Sequence, residues 1–277
     1  MSFRAPKIVG IVNLTEDSFS DGGLYLQTDA AIARCLELVR DGADILDLGA
    51  ASSNPDAKKV APADEILRLE PVVDAIAAHG TEASHATEIS IDTFKPEVQR
   101  WAAARDIAYL NDIRGFPDPS IYTDLARARC RLVVMHSIQR SERATRVASD
   151  APAVIAAMYQ FFEERIGALT GAGVARERLI LDPGMGYFLG SSPEPSILAL
   201  SGLAELRARF GLPILVSVSR KSFLGAITGR DVAERGAATL AAEIHAALSG
   251  ADFIRTHDAR QLRDAIKVIA ALESAPD

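Results

Sequence analysis

Two cysteines, Cys35 and Cys130, are all that 277 residues contain. So few, so far apart, exclude a disulfide-stapled secreted scaffold and a cysteine metal site. Both fall in stretches whose pattern predicts helix, and both read as buried free thiols. No apolar run reaches bilayer length, and none follows the amino-terminal MSFRAPK. Neither an anchor nor a leader is therefore expected, and a soluble, cytoplasmic protein is. Positive charge is also in deficit. A formal net charge of -7 argues against a nucleic-acid or anionic-membrane surface, so any anion site must be built locally. Finally, no Gly-x-Gly-x-x-Gly follows the first apolar segment, which removes the signature of a doubly wound dinucleotide fold.

What is present is a rhythm. Short apolar runs at KIVGIVN (Lys7 to Asn13), Ile45 to Leu48, ISIDT (from Ile89), YLNDI (Tyr109 to Ile113), RLVVMH (Arg131 to His136), LILDPG (Leu179 to Gly184), ILVSVS (Ile214 to Ser219) and FIRTHD (Phe253 to Asp258) are each followed by a helical pattern. The first helix is expected over Asp29 to Val39 with Thr28 as its cap, and the second from about Ala61 to Ala78, closing at His79-Gly80. The fourth unit's helix is short. With 48% hydrophobic residues the chain can bury one large core. About eight strand-then-helix units without a compositional break predict a single (β/α)8 TIM barrel spanning residues 1–277, an α/β fold.

The strands share a second feature: they end on polar residues. Asn13, Asp47, Asp92, Asn111, His136, Asp182, Ser219, Arg255 and His257 all stand at or near carboxyl ends. Burying an unpaired polar group costs about 1–3 kcal/mol, so a ring of them on one face implies a lined cavity. Asp182 is followed by Pro183-Gly184-Met185-Gly186, which stops the strand and lets a ligand approach the backbone. Asp182 could equally cap that turn. A structural role is favoured for Asp47, and His136 is assigned to the barrel's polar layer rather than to chemistry.

The strings GIVNLTEDSFSDGG, GADILDLGAASSNPD, ISIDTFKPEV, YLNDIRGF, VVMHS, LILDPGMG, VSVSRKSFLG and FIRTHD fall in the order and spacing of the dihydropteroate synthase family, which the chain resembles over nearly its whole length. The resemblance implies a (β/α)8 barrel that joins a dihydropterin methyl diphosphate to p-aminobenzoate with release of diphosphate. It implies pterin contacts from Asp92, Asn111, Asp182, Tyr187 and Lys221, and a diphosphate clamp from Arg255 and His257. It places Asn13 on Mg2+ and diphosphate, and Ser53, Pro55, Phe188 and Ser219 around the aminobenzoate. Lys221, Arg255 and His257 would carry the chemistry, with Lys221 and Arg255 as cations reserved for ligand rather than core. A homodimer is implied too, with Gly236 to Leu248 as a candidate interface, although that helix could equally be buried against the barrel.

Two loops depart from the family pattern. The usual Ser-Thr-Arg-Pro-Gly reads Ser52-Ser53-Asn54-Pro55-Asp56, which lacks a cation, and the usual Gly-Phe-Gly-Lys reads Gly186-Tyr187-Phe188-Leu189-Gly190. Both resemble the mobile, sulfonamide-resistant branch of the family. Phe188, in place of a glycine, is expected at the pocket mouth, where it would exclude the bulkier drug, unless it turns inward as core. A pterin-dependent methyltransferase, or a barrel that binds pterin without turnover, are the competing readings.

Overall fold

Strands that are apolar on both sides and separated by helical stretches pair in parallel, because each helix carries the chain back to the starting edge. The structure is a computed structural model that describes residues 3–14, 28–51, 59–80, 87–139 and 149–274. Its strands are β1 (Lys7–Asn13), β2 (Ile45–Gly49), β3 (Glu88–Asp92), β4 (Tyr109–Asp112), β5 (Arg131–Met135), β6 (Leu179–Asp182), β7 (Leu215–Val216) and β8 (Phe253–Thr256). They form one sheet in the order β6-β5-β4-β3-β2-β1-β8-β7. Between its two edges Leu181 bridges to Ile214, and the Leu181 N–H donates to the Pro213 carbonyl at 2.9 Å, so the sheet closes into a barrel.

Around it lie α1 (Thr28–Arg40), α2 (Pro62–Gly80), α3 (Pro96–Ala103), α4 (Tyr122–Arg127), α5 (Ala151–Gly171), α6 (Glu194–Ser201), α7 (Leu203–Phe210), α8 (Ser222–Thr228), α9 (Gly236–Leu248) and α10 (Ala259–Glu273). The sixth and seventh units carry two helices each, and the short fourth helix is retained. Some expectations need correction. Thr28 is the first helical residue rather than a cap. The seventh strand keeps only Leu215–Val216 of the apolar run, because Ser217 and Ser219 already belong to the barrel mouth. Cys130 is buried as expected, but it lies in a bend between α4 and β5, not in a helix. A buried thiol packs as a small hydrophobe in either setting.

Strand side chains alternate between two walls. The outward wall, with Ile8, Leu46, Leu110, Leu132, Leu181, Val216 and Ile254, merges with helix residues such as Leu38, Leu69, Phe161 and Leu262 into one large core. The inward wall begins at the amino ends with a separate plug of Val9, Ile45, Tyr109, Val133, Ile180, Leu215 and Phe253. Tyr109 and Phe253 meet edge to face there, with ring centroids 5.9 Å apart. Below the plug, Lys7 pairs with Glu88 at 2.5 Å and Arg131 stacks 5.4 Å from the Phe253 ring centroid. One end of the barrel is thereby filled.

Candidate active site

Two residues beyond the plug, the inward wall turns polar. Counting by twos from Ile45, Tyr109, Ile180, Leu215 and Phe253 gives Asp47, Asn111, Asp182, Ser217 and Arg255. A further step gives Ser219 and His257, with Asp92 two residues past Ser90. Asp47, Asn111, Asp182, Ser217 and Ser219 are all buried. Arg255 links the layer: its Nε donates to Asp47 Oδ2 at 2.5 Å and its Nη2 to Asp92 Oδ2 at 2.8 Å. Burial pushes the Asp92 carboxyl upward, opposed by the Arg255 charge. The two carboxylates hold the guanidinium firmly in its charged form despite its burial. Arg255 is therefore not reserved for ligand; it is also the counter-ion of two carboxylates. Asp47, for which a structural role was favoured, is the residue that aims it, and both roles rest on one ion pair.

The orphaned atoms in this layer point to a ligand. Asp47 Oδ1, Asn111 Oδ1 and Ser217 Oγ are buried and have no hydrogen-bond partner, where buried polar groups are ordinarily satisfied. Asn111 and its neighbour Asp112 show how parity divides adjacent polar residues. Asp112 takes Gln99 Nε2 at 2.9 Å and the backbone N–H groups of Arg114 and Phe116 at 2.8 and 2.9 Å. Asp112 thus shapes the turn, while Asn111 faces the cavity.

Asp182 takes the capping role foreseen for it and stands buried in the polar layer. Its Oδ1 accepts the Gly184 N–H at 2.8 Å, capping the turn, and burial raises its carboxyl to about 6 against the pull of Lys221 and Arg255. Gly184 has φ +72 and leaves no room for a Cβ, which would sit 2.2 Å from the His136 carbonyl oxygen. Gly186, at φ +66, likewise brings the loop against Ser222, directly after Lys221. Lys221 is the N-cap of α8. Burial and the Arg255 charge lower its ammonium to about 8 while Asp182 and Asp92 oppose the fall. A cation at a helix N-terminus, out of water, is held there by carboxylates rather than by the helix.

Ser219 and His257 form a pair. The hydroxyl lies 2.9 Å from His257 Nδ1 and accepts the His257 backbone N–H at 3.3 Å. With one lone pair so occupied, the hydroxyl hydrogen can point to Nδ1, leaving Nε2–H as the free donor. Burial and the nearby Arg220, Arg255 and Lys221 keep the imidazole neutral, well below its usual range. Beside His257 a cavity of about 550 Å3 is lined by Arg34, Arg40, Arg220 and Arg260 with Glu37, Asp41 and Asp258, a cationic wall in an acidic chain.

Phe188 lies at the rim of the cavity, apart from the main core. It is 6% exposed and packs with Ile113, Met135, Phe94 and Tyr187 in a small rim cluster, and Lys221 Nζ stands 5.1 Å from its ring centroid. Asn13 is half-buried at the end of β1, opposite Gly49. His136 is not in the polar layer. It lies on the opposite parity from Met135, packs 5.3 Å from Phe161, and its Nδ1 is 3.3 Å from the Pro183 carbonyl. Ser53 and Pro55 lie outside the described residues. Sequence reasoning passed over Ser217, and undervalued Asp47, yet a count of two from Ser219 and from Ile45 finds both.

A parallel barrel with a carboxylate, amide and cation layer at the carboxyl ends of its strands defines an α/β-barrel enzyme that binds a small polar ligand. The model for pterin binding enzymes matches residues 9–257, and the chain belongs to that family. It is 56% identical to the type-3 dihydropteroate synthase of Escherichia coli over 266 residues, covering 96% of this chain and 99% of that one. Among solved structures, the dihydropteroate synthase of Xanthomonas albilineans with 4-aminobenzoic acid superposes with a TM-score of 0.86 at 37% identity, covering 98% and 94% of the two chains. The same enzyme in complex with 7,8-dihydropteroate superposes with a TM-score of 0.82 at 35% identity, covering 100% and 97%.

Proposed function

We propose that the whole chain works as one pterin-binding barrel that condenses 6-hydroxymethyl-7,8-dihydropterin diphosphate with p-aminobenzoate. It is a transferase, a dihydropteroate synthase of folate biosynthesis. The observation that carries this reading is the layer of Asp92, Asn111, Asp182, Lys221 and Arg255 around buried acceptors that have no partner. A pterin edge offers ring N–H and amino donors beside a carbonyl, which suits carboxylate and amide oxygens next to an ammonium. Asp182 and Asn111 accept from the ring, Lys221 donates to its carbonyl side, and Tyr187 covers its rim.

The aniline nitrogen bonds to the pterin methylene as the carbon–oxygen bond to diphosphate breaks, and the nitrogen then sheds its proton to solvent. No side-chain nucleophile is required. The residues orient two reactants and stabilise a departing anion. His257 Nε2–H and the Arg255 guanidinium would face the diphosphate, and Ser219, through its bond to His257, joins that end of the site to the aminobenzoate end. Ser53, Pro55 and Phe188 would complete the aminobenzoate site.

Among the described residues no cluster of three or more His, Cys, Asp or Glu could hold a metal. Asn13 stands at the rim as an oxygen donor. That sparse donor set fits Mg2+ held chiefly by substrate oxygens, with Asn13 adding one ligand. The ion would neutralise charge on the leaving group.

The chain would act in the cytoplasm; no helix among the described residues is long and apolar enough to cross a membrane. A homodimer would form through α9 and α10, whose Leu248, Val268 and Leu272 are 58%, 59% and 71% exposed. Insensitivity to sulfonamides would follow from Phe188, whose ring fills space beside Lys221. The reading is tested by diphosphate release that depends on p-aminobenzoate. Methyl transfer from a methylated folate in its place would give the competing methyltransferase, and pterin binding without release of diphosphate would give the silent barrel.

A further inference from the structure

One face of α9 is polar where a helix packed against a barrel should be apolar. Thr239 and Glu243 are 6% and 2% exposed, and with Arg235, the N-cap residue of α9, they recur every four residues along the side turned to the barrel. Arg235 and Thr239 hold the turn before α8, and Glu243 faces the end of β8. Arg235 Nη1 donates to the Arg220 carbonyl at 2.9 Å and to the Lys221 carbonyl at 3.4 Å. Thr239 Oγ1 accepts the Arg220 N–H at 3.0 Å. Glu243, buried where α9 lies against β8, faces Thr256, the fully buried residue between Arg255 and His257, whose hydroxyl opposes the rise that burial gives the Glu243 carboxyl.

The grip on Arg220 answers a strain. Arg220 has φ +57, a left-handed conformation that is strained for a residue with a Cβ and persists only when its surroundings impose it. Arg235 and Thr239 take both its carbonyl and its N–H, and that turn sets the direction in which Lys221 leaves the barrel wall. The seat for the guanidinium is built. Gly225 on α8 faces it so closely that a Cβ there would lie 2.3 Å from Arg235 Nη2, and Arg235 Nε is fixed by the Arg230 carbonyl at 3.1 Å. At the end of β8, the Thr256 hydroxyl accepts the Asp258 N–H at 3.2 Å, so Glu243 faces β8 at the point where it enters the next loop.

We propose that Arg235, Thr239 and Glu243 form a single positioning spine on α9 that sets Lys221, on the turn before α8, in register with Arg255 and His257, at the end of β8 and just beyond it. None of the three touches substrate. The spine matters because Lys221 and Arg255 repel each other and are carried by different elements, the turn before α8 and the strand β8. Their separation must be held by something other than their own contact. The proposal rests on the reading of the reaction given above.

Thr239→Val is the test variant, since it deletes one acceptor and keeps the shape of the side chain. Relative to the parent it is expected to lower kcat by about tenfold or more, as a displaced catalytic group does, with KM for p-aminobenzoate changed less and thermal unfolding still cooperative. Glu243→Gln, which keeps an acceptor for Thr256 in a carboxamide of the same shape, should retain turnover within about threefold, whereas Glu243→Leu should lose it as Thr239→Val does. Arg235→Lys should fall between. Parent-like kcat in both Thr239→Val and Glu243→Leu overturns the spine. So does a loss in Glu243→Gln as deep as in Glu243→Leu, or a loss fully accounted for by the fraction unfolded. If the parent itself released no diphosphate, the reading of the reaction would fail instead, and calorimetry with a pterin ligand would then show whether binding survives.

Discussion

The two walls of the barrel are made by the same eight strands and behave as different materials. The outward wall is aliphatic along its length and joins the helices in one core, including Leu46, Leu110, Leu181 and Ile254. The inward wall is wholly apolar at its amino end, in the plug from Val9 to Phe253, and two residues later carries Asp47, Asn111, Asp182 and Arg255 on four of its strands. Adjacent residues on one strand therefore face opposite demands. In β4, Asp112 is saturated by Gln99, Arg114 and Phe116, while Asn111 Oδ1 has no partner. A polar residue on the outward side has to be satisfied by the protein, and one on the inward side can await a ligand. The inward wall is where the fold accepts a stability cost in exchange for a site.

The contrast predicts that inward residues differ among themselves. Arg255→Ala should be the most damaging change. It strands Asp47 and Asp92 without their cation, so turnover should fall by orders of magnitude and stability by about 3–5 kcal/mol; denaturant unfolding alongside kinetics reads both. An Arg255→Ala protein as stable as the parent would mean the two carboxylates are not held by it. Lys221→Ala makes the matching experiment, because no carboxylate depends on the ammonium in the same way. Activity should drop by about 100-fold or more with the melting temperature little changed.

Asp182→Asn comes next. The amide oxygen can still accept the Gly184 N–H, so the turn should survive, while pterin affinity should weaken by about 2–4 kcal/mol through loss of the charge-assisted pair. Calorimetry with a pterin ligand decides it, and unchanged affinity would remove Asp182 from the pterin site. Phe188→Gly empties part of the rim cluster. Sulfonamide inhibition should improve by about 1–3 kcal/mol while KM for p-aminobenzoate moves less, at some cost in stability because the ring is buried. Inhibition constants that match the parent's would mean that the ring serves packing alone.

The smallest effect expected is in the pH profile. kcat/KM should rise as Asp182 ionises near 6 and fall as Lys221 loses its proton near 8. The signs follow from need: the carboxyl must be charged to accept from the ring, and the amine must be charged to oppose the carbonyl. In Lys221→Arg the descending limb should move to higher pH, since a guanidinium stays charged. A limb that stays in place would assign it to another group.

Much of the fold and of the site is legible in the order of the residues. The eight-unit rhythm implies the barrel, because strand and helix periods differ and neither needs a partner to be recognised. Strand-end polarity marks Asp92, Asn111, Asp182, Ser219, Arg255 and His257. Position without parity misleads. His136 stands at a strand end as these do, yet it points among Phe161 and the helices. Phe188, flanked by glycines, suggests an exposed ring and is buried.

The sequence by itself determined the closed parallel sheet and the identity of the groups on its rim, since alternation and punctuation are local properties of the chain. The tertiary structure alone decided which of those groups hold one another. That Asp47 lies against Arg255, 208 residues away, and that α9 grips the turn at Arg220, are facts of distance in space. A buried charge takes its role from whatever the closed barrel brings within about 3 Å of it, and no local pattern encodes that.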